Sequence, residues 1–429
     1  MGESIDADVA IVGAGLAGLA AATVAARNGA SVVLCDIRTA GGRARSDVRR
    51  GYVLNQGPHA LYRAGAGVGV LRRLGVEPHG SPPPAAVTGY REATASLRTL
   101  PTSALSLLRS SLVGVGDKLR LARLLRGLAR LEIAPLASQS AAEWIATQGL
   151  TSGGAAVLSG LIRVTTYVGE LGLISADAAV GQLQLAAKEG VLYLDGGWQT
   201  LVAGLTDAAA SAGVQIAEGA RVAAVQEDRL GMWEVKTPAA DVRAAAVVIA
   251  VGSPEAARAI LPAAPAWELG TSATVACLDL GLSRPPPTKV AYGLDQPLYF
   301  STHSPNARLA PANGAVVHVM RYGARTTRED RPELWALARR CGVREHDVVV
   351  QRFLHEMTAC HAVPRPGSGL TGRPAIDSAG ADGLFLAGDW IGPIGQLADA
   401  ALASGEAAGR AAALRAVSVR TPLGAMVGR

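Results

Sequence analysis

Apolar and polar residues form blocks along the chain that predict strands followed by helices. The short apolar run from Val9 to Val12 is typical of a buried strand. An Ala-rich stretch from about Leu16 to Arg27 predicts the next helix, and Gly29 stands where a helix C-terminus is capped. Ser31 to Leu34 predicts a second strand. A strand, a helix and a strand within about 30 residues are typical of the start of a doubly wound α/β fold.

Later blocks repeat this alternation. Stretches rich in Ala and Leu predict helices, and short runs rich in Val, Ile and Leu predict strands. The predicted helices are 105–137, most of 138–188, 199–212 and a helix that begins near residue 396. The predicted strands are 214–217, 234–237, 245–251, 274–280, 315–322 and 384–387. The run at 245–251 is apolar throughout, as in a parallel strand that is buried on both faces.

Three glycines follow the first strand with the spacing G-x-G-x-x-G: Gly13, Gly15 and Gly18. The first permits a tight turn, the second lets the backbone approach a pyrophosphate, and the third lets the helix pack closely on the sheet. The N–H groups of the first helical turn, at Leu16 and Ala17, favour a phosphate charge together with the helix dipole. The pattern therefore predicts a phosphate-binding turn.

Asp36 ends the second predicted strand, about 20 residues past the glycines. A carboxylate at this point suits a ribose diol and repels a 2′-phosphate. The glycines and this acid predict a dinucleotide site. They do not distinguish NAD from FAD.

Composition narrows the class of protein. The 429 residues are 49% hydrophobic and 18% charged, which is typical of a globular chain of two to three domain-sized units. The net charge of +6 contains no long Lys/Arg block, so we expect no nucleic-acid partner. The four cysteines form no C-x-x-C pair and the seven histidines show no ligand spacing, so we expect neither a metal nor a redox dithiol.

The first residues argue against secretion. Glu3, Asp6 and Asp8 are acidic where a signal peptide is basic, and no apolar run reaches the roughly 18 residues of a membrane span. We therefore expect a cytoplasmic protein with at most peripheral membrane contact. Within 105–137, leucines at helical spacing oppose a row of arginines. Such a helix can lie on an anionic membrane, and it can equally be a surface helix with a solvated face.

Gly41, Gly42 and Arg43 follow the acid, and NAD dehydrogenases carry no such G-G-R. This order resembles the superfamily of FAD-dependent amine oxidases, protoporphyrinogen oxidases and phytoene desaturases. The resemblance implies that the G-G-R loop lies over the FAD pyrophosphate, with Arg43 in charge contact with it. It also implies that Ile37 and Arg38 lie at the cofactor, although the segment before the glycines is a residue shorter than usual.

Later segments resemble the same superfamily. The resemblance implies that Val222 meets the adenine through backbone groups and that Asp389 binds the ribityl chain or the pyrophosphate. A helix that begins near Gln396 would point its N-terminus at the pyrimidine edge, where reduced flavin carries negative charge. This second anchor favours FAD over NAD. The implied contacts in these segments are Gly57, Pro58, His59, Val222, Gly252, Gly388, Asp389, Gly395, Gln396, Leu397 and Ala398.

The fold implied by the resemblance is α/β: a Rossmann-like FAD-binding domain (GR2-type) with an interleaved α+β substrate domain. Residues 1–80, 191–253 and 374–429 would form the FAD-binding domain, and residues 81–190 and 254–373 the substrate domain. We expect non-covalent FAD. Cys360 and His361 are suitable nucleophiles for a covalent link, but they lie outside the C-terminal flavin segment.

The motifs resemble those of phytoene desaturase-like oxidoreductases most closely. The leading hypothesis is therefore an enzyme that transfers a hydride from an apolar substrate, an isoprenoid or polyene, to flavin N5. Candidate catalytic residues are His59, Tyr167 and His303. Arg163, which is embedded among apolar residues, is expected to have a partner or a ligand.

Three alternatives stay open at this stage. Amine oxidases place a cage aromatic at the position that Leu397 holds here, and the aromatic content is only 4%. A flavin amine or amino-acid oxidase is therefore the second hypothesis. An FAD-dependent isomerase without net redox change is the third, and a non-catalytic flavin-binding partner in a complex is the fourth. The electron acceptor and the oligomeric state are unknown from the sequence.

Overall fold

A computed structural model describes residues 4–92, 96–100, 106–107, 110–263, 265–323 and 325–420. Its helices with described bounds are α1 (Leu16–Arg27), α2 (Ala66–Arg73), α3 (Val115–Gly127), α4 (Ala141–Ala146), α5 (Ser152–Thr166), α6 (Ala176–Glu189), α7 (Gln199–Ser211), α8 (Pro254–Ile260), α9 (Thr327–Arg340) and α10 (Leu397–Arg420). Its strands are β1 (Ser4–Val12), β2 (Val32–Asp36), β3 (Ser46–Arg49), β4 (Tyr52–Asn55), β5 (Leu61–Tyr62), β6 (Gly80–Ser81), β7 (Val87–Tyr90), β8 (Arg98–Thr99), β9 (Val191–Leu194), β10 (Gln215–Glu218), β11 (Ala224–Glu227), β12 (Trp233–Lys236), β13 (Asp241–Ile249), β14 (Ala273–Leu282), β15 (Val290–Gly293), β16 (Leu298–Thr302), β17 (Ala315–Tyr322), β18 (Val348–Cys360) and β19 (Leu384–Leu386).

The first sheet has the strand order β10-β2-β1-β13-β12-β11, and β19 pairs with β13. Strands β10, β2, β1, β13 and β19 pair in parallel, whereas β12 pairs antiparallel with β11 and β13. Side chains of β1 alternate between two cores: Val9 and Ile11 pack on the side of α1, and Ala10 and Val12 on the other face. The predicted α/β class and the Rossmann-like sheet are confirmed.

Helices α1 and α10 pack against each other at backbone distance. A Cβ added at Gly405 would lie 2.3 Å from the carbonyl oxygen of Ala17, and one at Gly409 would lie 2.3 Å from that of Ala21. Glycine at these two positions allows the close approach. The contact joins the N-terminal and the C-terminal segments of the chain into one layer above the sheet.

The second sheet has the order β18-β14-β17-β16-β15-β7-β8 and is antiparallel except for the β15–β7 pair. Leu278 and Leu280 of β14 pack against α9, whereas Val275 and Cys277 face the core that α5 shares. The strands predicted at 274–280 and 315–322 are confirmed. Every strand of the two sheets falls inside the segment proposed for its domain, and the domain bounds themselves stay a prediction.

The long helix predicted at 105–137 is wrong in extent. Within the described part of this stretch, residues 106–107 are helical and α3 is the one α-helix with described bounds. It is followed by 3₁₀ turns at Leu128–Arg130 and Ala134–Ser138. Gly127 ends α3, and Pro135 lacks the N–H that a continued helix needs. Residues 105 and 108–109 of that prediction lie outside the described residues. Among the helices that are described, none is long and apolar enough to cross a membrane.

Candidate cofactor site and substrate cavity

The carboxyl ends of β1, β2 and β13 meet at the N-terminus of α1. The N–H of Gly13 donates to the carbonyl of Cys35 at 2.8 Å, and the N–H of Ala250 donates to that of Val12, also at 2.8 Å. Because β2 and β13 lie on opposite sides of β1, the strand order reverses at this point. Dinucleotides bind in the crevice at such a reversal.

The glycines at this crevice act as the fingerprint predicts. Gly13 has a φ of +104°, and a Cβ there would lie 2.5 Å from the carbonyl oxygen of Ala250. A Cβ at Gly18 would lie 1.7 Å from the carbonyl oxygen of Gly13. A Cβ at Gly15 would meet nothing within 4 Å, and one at Gly42 would reach 3.5 Å from the Cα of Gly15. Gly15 and Gly42 therefore leave room for a ligand at the start of α1.

The electrostatics of this space suit an anion. The first turn of α1, which includes Leu16 and Ala17, has neither a side-chain cap nor an acidic residue. Its N–H groups and the helix dipole are therefore available to a phosphate. The space and the donors fit the FAD pyrophosphate, with Gly15 and Gly42 as its walls.

Asp36 lies where the sequence predicts a ribose partner. Its Oδ2 accepts the N–H of Ala14 at 2.6 Å, and its Oδ1 accepts that of Arg38 at 2.7 Å. These two bonds fix the carboxylate and leave further acceptor positions on both oxygens. Ile37 and Arg38 are exposed beside it.

Arg43, predicted to contact the FAD pyrophosphate, lies against Asp389, predicted to bind the ribityl chain or the pyrophosphate. A guanidinium nitrogen of Arg43 is 2.8 Å from Oδ1 of Asp389, and another donates to the carbonyl of Ala359 at 2.9 Å. Asp389 also accepts the backbone N–H and Nδ1 of His361, both at 3.0 Å. Although burial raises it, the pKa of Asp389 is held well below its usual range by Arg43 and His361.

The sequence indicated His361 only as a possible nucleophile for a covalent link and not as a contact of Asp389. Although His361 lies outside the C-terminal flavin segment in the sequence, the end of β18 carries it onto Asp389. A Cβ at Gly252 would also come 4.0 Å from the His361 ring. Burial raises the pKa of Cys360 to about 12, which keeps it a thiol. An unreactive thiol is in keeping with non-covalent FAD, which stays a prediction.

The second anchor begins one residue later than expected. Helix α10 starts at Leu397, which has a φ of +54° although it is not glycine. Gly395 has a φ of +63°, and the side-chain amide of Gln396 donates to the carbonyl of Ala178 at 2.8 Å. The N–H of Gly388 is bound by Ser404 of α10 at 3.0 Å. These contacts fix the N-terminus of α10, including half-buried Ala398, beside the end of β19.

The other predicted cofactor residues lie in turns around the same region. Val222 is half-buried between β10 and β11, at the edge of the core below the sheet. Gly57 has a φ of +77°, and Pro58 follows it as a buried residue. A Cβ at Gly57 would lie 2.7 Å from the terminal methyl of Met357, so this turn packs on the second sheet.

Asp399, in the first turn of α10, is a buried carboxyl that is only half satisfied. Its Oδ1 accepts the N–H of Gly67 at 2.8 Å. Its Oδ2 is buried without a hydrogen-bond partner among the described residues. Burial raises the pKa of Asp399 to about 6.

The Asp399→Asn variant is expected to stabilise the protein at neutral and alkaline pH. Because the pKa of Asp399 is higher in the folded than in the unfolded chain, stability falls as pH rises from about 4 to about 6 and stays lowered above that. A pKa that is about 2 higher in the folded chain corresponds to a loss of about 3 kcal/mol in the free energy of unfolding. Thermal melting should show the gain at about pH 8 and none at about pH 4. Exposed Asp207→Asn is the control, and equal melting of Asp399→Asn and the wild type at the higher pH would contradict the assignment.

A cavity of about 270 Å³ lies between the turn at Gly57, Pro58 and His59, α5, α6 and the second sheet. Its wall contains His59, Tyr167 and His303, so the three candidate catalytic residues lie around one space. The hydroxyl of Tyr167 donates to the carbonyl of Pro58 at 2.6 Å. Burial lowers the pKa of His59 to about 4, so this ring is neutral at physiological pH.

His303 is held by ring contacts. It stacks on Tyr193 with the ring centroids 3.6 Å apart, and it meets His318 edge-on at 4.5 Å. Both ring nitrogens of His303 are buried and lack a hydrogen-bond partner within the described ranges. Burial and the neighbouring His318 hold the pKa of His303 well below its usual range.

The low aromatic content does not describe this cavity. Of the eight tyrosines in the chain, five line it: Tyr62, Tyr167, Tyr193, Tyr292 and Tyr299. The rings of Tyr292 and Tyr299 lie 5.3 Å apart and are tilted by 59°. The aromatic content averaged over the whole chain hides the clustering of tyrosines at the cavity. The low average is therefore no argument against a substrate site lined by aromatic side chains.

Arg163 is only partly paired. Its Nε donates to the carbonyl of Gly169 at 3.1 Å, and its Nη1 is buried without a partner in the described part of the chain. Burial lowers the pKa of this side chain. The expectation of a partner is met at one nitrogen.

The parallel sheet, the glycine-framed crevice at α1 and the second anchor at α10 are typical of a Rossmann-like dinucleotide-binding fold, which here carries a second sheet beside a cavity. The family model described as flavin-containing amine oxidoreductase matches residues 16–413. The chain belongs to this family and is an FAD-dependent oxidoreductase.

Solved structures share the fold at low sequence identity. An oxidoreductase from Methanosarcina mazei has a TM-score of 0.74 at 15% identity, over 92% of this chain and 98% of that chain. Putrescine oxidase bound to putrescine has a TM-score of 0.70 at 18% identity, over 95% and 98%. Cyclohexylamine oxidase from Brevibacterium oxydans has a TM-score of 0.69 at 18% identity, over 97% and 100%. No curated protein sequence matches the chain.

Proposed function

We propose that the protein binds FAD non-covalently and uses it to take a hydride from a C–H bond of an uncharged, largely apolar substrate. The observation that carries this proposal is the chemistry of the cavity wall. Among the described residues that line it there is no Asp, Glu, Lys or Arg. A charged substrate would lose its hydration there without gaining a partner, which is costly.

The polar groups of the wall are also uncharged. His59 and His303 have lowered pKa values because they are buried, and burial raises the pKa of Tyr167 far above neutral pH. The hydroxyl of Thr165 is turned back onto its own helix, where it donates to the carbonyl of Ile162 at 3.0 Å. The wall therefore orients a substrate by shape and by a few neutral polar atoms.

The volume limits the size of the substrate. At about 270 Å³ the cavity is near the lower end of small-molecule sites. It suits a small apolar molecule or one segment of a longer isoprenoid chain. One wall of the cavity is formed by leucines at the end of α3 and just after it, Leu124, Leu125 and Leu128. The end of α3 therefore helps to limit the size of the substrate.

Amine oxidation is the second candidate, and the tyrosines of the cavity favour it. Two of the structural neighbours are named as oxidases of putrescine and of cyclohexylamine. The tilted pair of Tyr292 and Tyr299 offers ring faces to a substrate nitrogen or to an alicyclic ring. Because the wall has no carboxylate to pair with an ammonium group, such an amine would bind in its uncharged form.

Anaerobic bleaching of the flavin tests the proposal. FAD-loaded protein is mixed with limonene, cyclohexylamine or putrescine, and the loss of visible flavin absorbance is recorded. We expect limonene or uncharged cyclohexylamine to reduce the flavin and the doubly charged putrescine to fail. Conversion of a substrate to a product of equal mass without bleaching would point to the isomerase and contradict the proposal.

Two matched variants sharpen this experiment. Thr165→Asp adds a carboxylate to the cavity wall, and Thr165→Val is its nearly isosteric uncharged control. We expect Thr165→Asp to slow flavin reduction by about tenfold or more, since a charge must be desolvated there, and Thr165→Val to stay within about threefold. The proposal of an uncharged substrate would be overturned if putrescine reduced the flavin faster in Thr165→Asp and the uncharged compounds did not reduce it in the wild type.

A further inference from the structure

Behind the cavity wall, two strands of the second sheet place an acid against a histidine. Asp279 of β14 and His318 of β17 are opposite each other in the strand register. Nδ1 of His318 lies 2.6 Å from Oδ1 of Asp279, and both side chains are fully buried. This geometry fixes a ring whose Nδ1–H donates to a carboxylate and whose Nε2 is free to accept a proton.

The carboxylate of Asp279 is kept ionised by its other neighbours. Nε of Arg352 on β18 donates to Oδ2 of Asp279 at 3.0 Å, and Sγ of Cys277 donates to Oδ1 at 3.1 Å. Although burial raises it, the pKa of Asp279 is lowered by His318 and Arg352. Arg352 in turn pairs with Asp47 of β3 at 2.6 Å.

The ring of His318 lies next to a residue of the cavity wall. Its Nε2 is buried and has no partner among the residues that are described. Its ring packs edge-on against His303, which lines the cavity and has two unpaired nitrogens. The edge-on contact of the two imidazoles and the bond of His318 to Asp279 place the three residues in series from the cavity wall inward.

We propose that His303 and His318 form a proton relay that carries the proton released during substrate oxidation out of the cavity to His318, where Asp279 balances its charge. The proposal rests on the function proposed above. It holds for an alkene product and for an imine product, because both oxidations release a proton as well as a hydride.

The step balances in atoms and electrons. The substrate loses a hydride, with two electrons, to FAD and a proton to one ring nitrogen of His303. A new double bond forms between the two substrate atoms. His303 gives the proton on its other nitrogen to Nε2 of His318, after a small adjustment of the side chain closes the gap between the rings. FAD is the oxidant, and no further reactant is needed.

The charges around the two rings favour proton transfer from His303 to His318. Asp47 pairs with both Arg352 and Arg49, at 2.6 and 3.9 Å, whereas the carboxylate of Asp279 lies between His318 and Arg352, so a proton on His318 is placed directly against a negative charge. His303 faces His59 and His318, and no carboxylate among the described residues is in contact with it, so it passes a proton on without retaining it. Cys277 adds no charge, because burial keeps its pKa raised.

The first test needs no substrate. FAD-loaded protein with ¹⁵N-labelled histidine has seven ring systems to follow by NMR, and loss of one set in His318→Gln assigns His318. We expect the His318 ring to keep its proton on Nδ1, which faces Asp279, and to accept a second proton at Nε2 before His303 accepts one. Protonation of His303 first, or a His318 ring that does not titrate, would overturn the relay. Zinc retained on Cys277, Asp279 and His318 would overturn it too.

The second test follows flavin reduction by whichever of limonene and cyclohexylamine bleaches the wild type. His318→Gln keeps a donor for Asp279 but cannot accept a proton, so we expect the limiting reduction rate to fall by about 10- to 100-fold. The half-saturating substrate concentration should stay within about twofold, and the acidic limb of the pH profile should disappear. Exposed His355→Gln, on neighbouring β18, is the control.

The two proposals fail separately. If neither compound bleaches the flavin, the proposed function fails while the NMR titration still decides the relay. If His318→Gln reduces with an unchanged pH profile, the relay fails and the function stands. Should His318→Gln not fold, His303→Gln replaces it in the kinetic test, because His303 lies at the cavity and outside the ion-pair cluster.

Discussion

The Gly15→Glu variant is expected to fold normally and to lose FAD. A Cβ at Gly15 meets nothing within 4 Å, and the backbone φ of −75° is one that any residue adopts. The longer side chain, however, enters the space between Gly15 and Gly42 and brings its own carboxylate to the N-terminus of α1. That charge competes with the pyrophosphate for the same N–H groups and repels it.

We expect FAD affinity to fall by about 100-fold or more, which is about 2.7 kcal/mol. Titration of apoprotein with FAD, followed by flavin fluorescence, measures the change. Gly172→Glu is the matched control, since Gly172 is exposed and an added Cβ there also meets open space. Its affinity should equal that of the wild type, and the melting temperature of both apoproteins should be unchanged. A Gly15→Glu variant that still binds FAD tightly would refute the placement of the pyrophosphate.

The cofactor half of the molecule could be predicted because its signals are local. The first strand, the three glycines, α1 and Asp36 follow one another directly, and each step has a steric or electrostatic reason that sequence spacing carries. The bounds predicted for α1 agree with the structure to the residue. The contact of His361 with Asp389 was not predicted, because nothing in the sequence around His361 indicates that β18 ends beside Asp389.

The cavity could not be predicted in the same way. His59, Tyr167 and His303 come from a turn, a helix C-terminus and a loop, and only the packing of the second sheet on α5 brings them together. Asp279 and His318 are residues of two buried strands, and their pairing depends on the register between β14 and β17. A register of this kind is set by the whole hydrophobic face and not by any short motif.

The helix contact between α1 and α10 explains why the two ends of the chain form one cofactor site, and Gly405→Val is the change that would break it. A Cβ at Gly405 would lie 2.3 Å from the carbonyl oxygen of Ala17 and 3.0 Å from its Cα. Both atoms are backbone, so only a shift of a whole helix can relieve the clash. Overpacking typically costs about 1–3 kcal/mol even where side chains can adjust, and we expect at least the upper end here.

Gly405→Val should therefore impair both stability and cofactor binding, unlike Gly15→Glu. Ala17 lies in the first turn of α1, so the displacement reaches the N–H groups that would hold the pyrophosphate, and α10 carries the second anchor. We expect thermal unfolding several degrees lower and FAD affinity reduced by about tenfold or more. Ala407→Val adds the same branched side chain to an exposed position of α10 and should behave as the wild type. Because valine is a better helix former than glycine, any loss of stability in Gly405→Val reports the helix contact and not helix propensity. Wild-type stability in that variant would show that α1 and α10 do not pack at backbone distance.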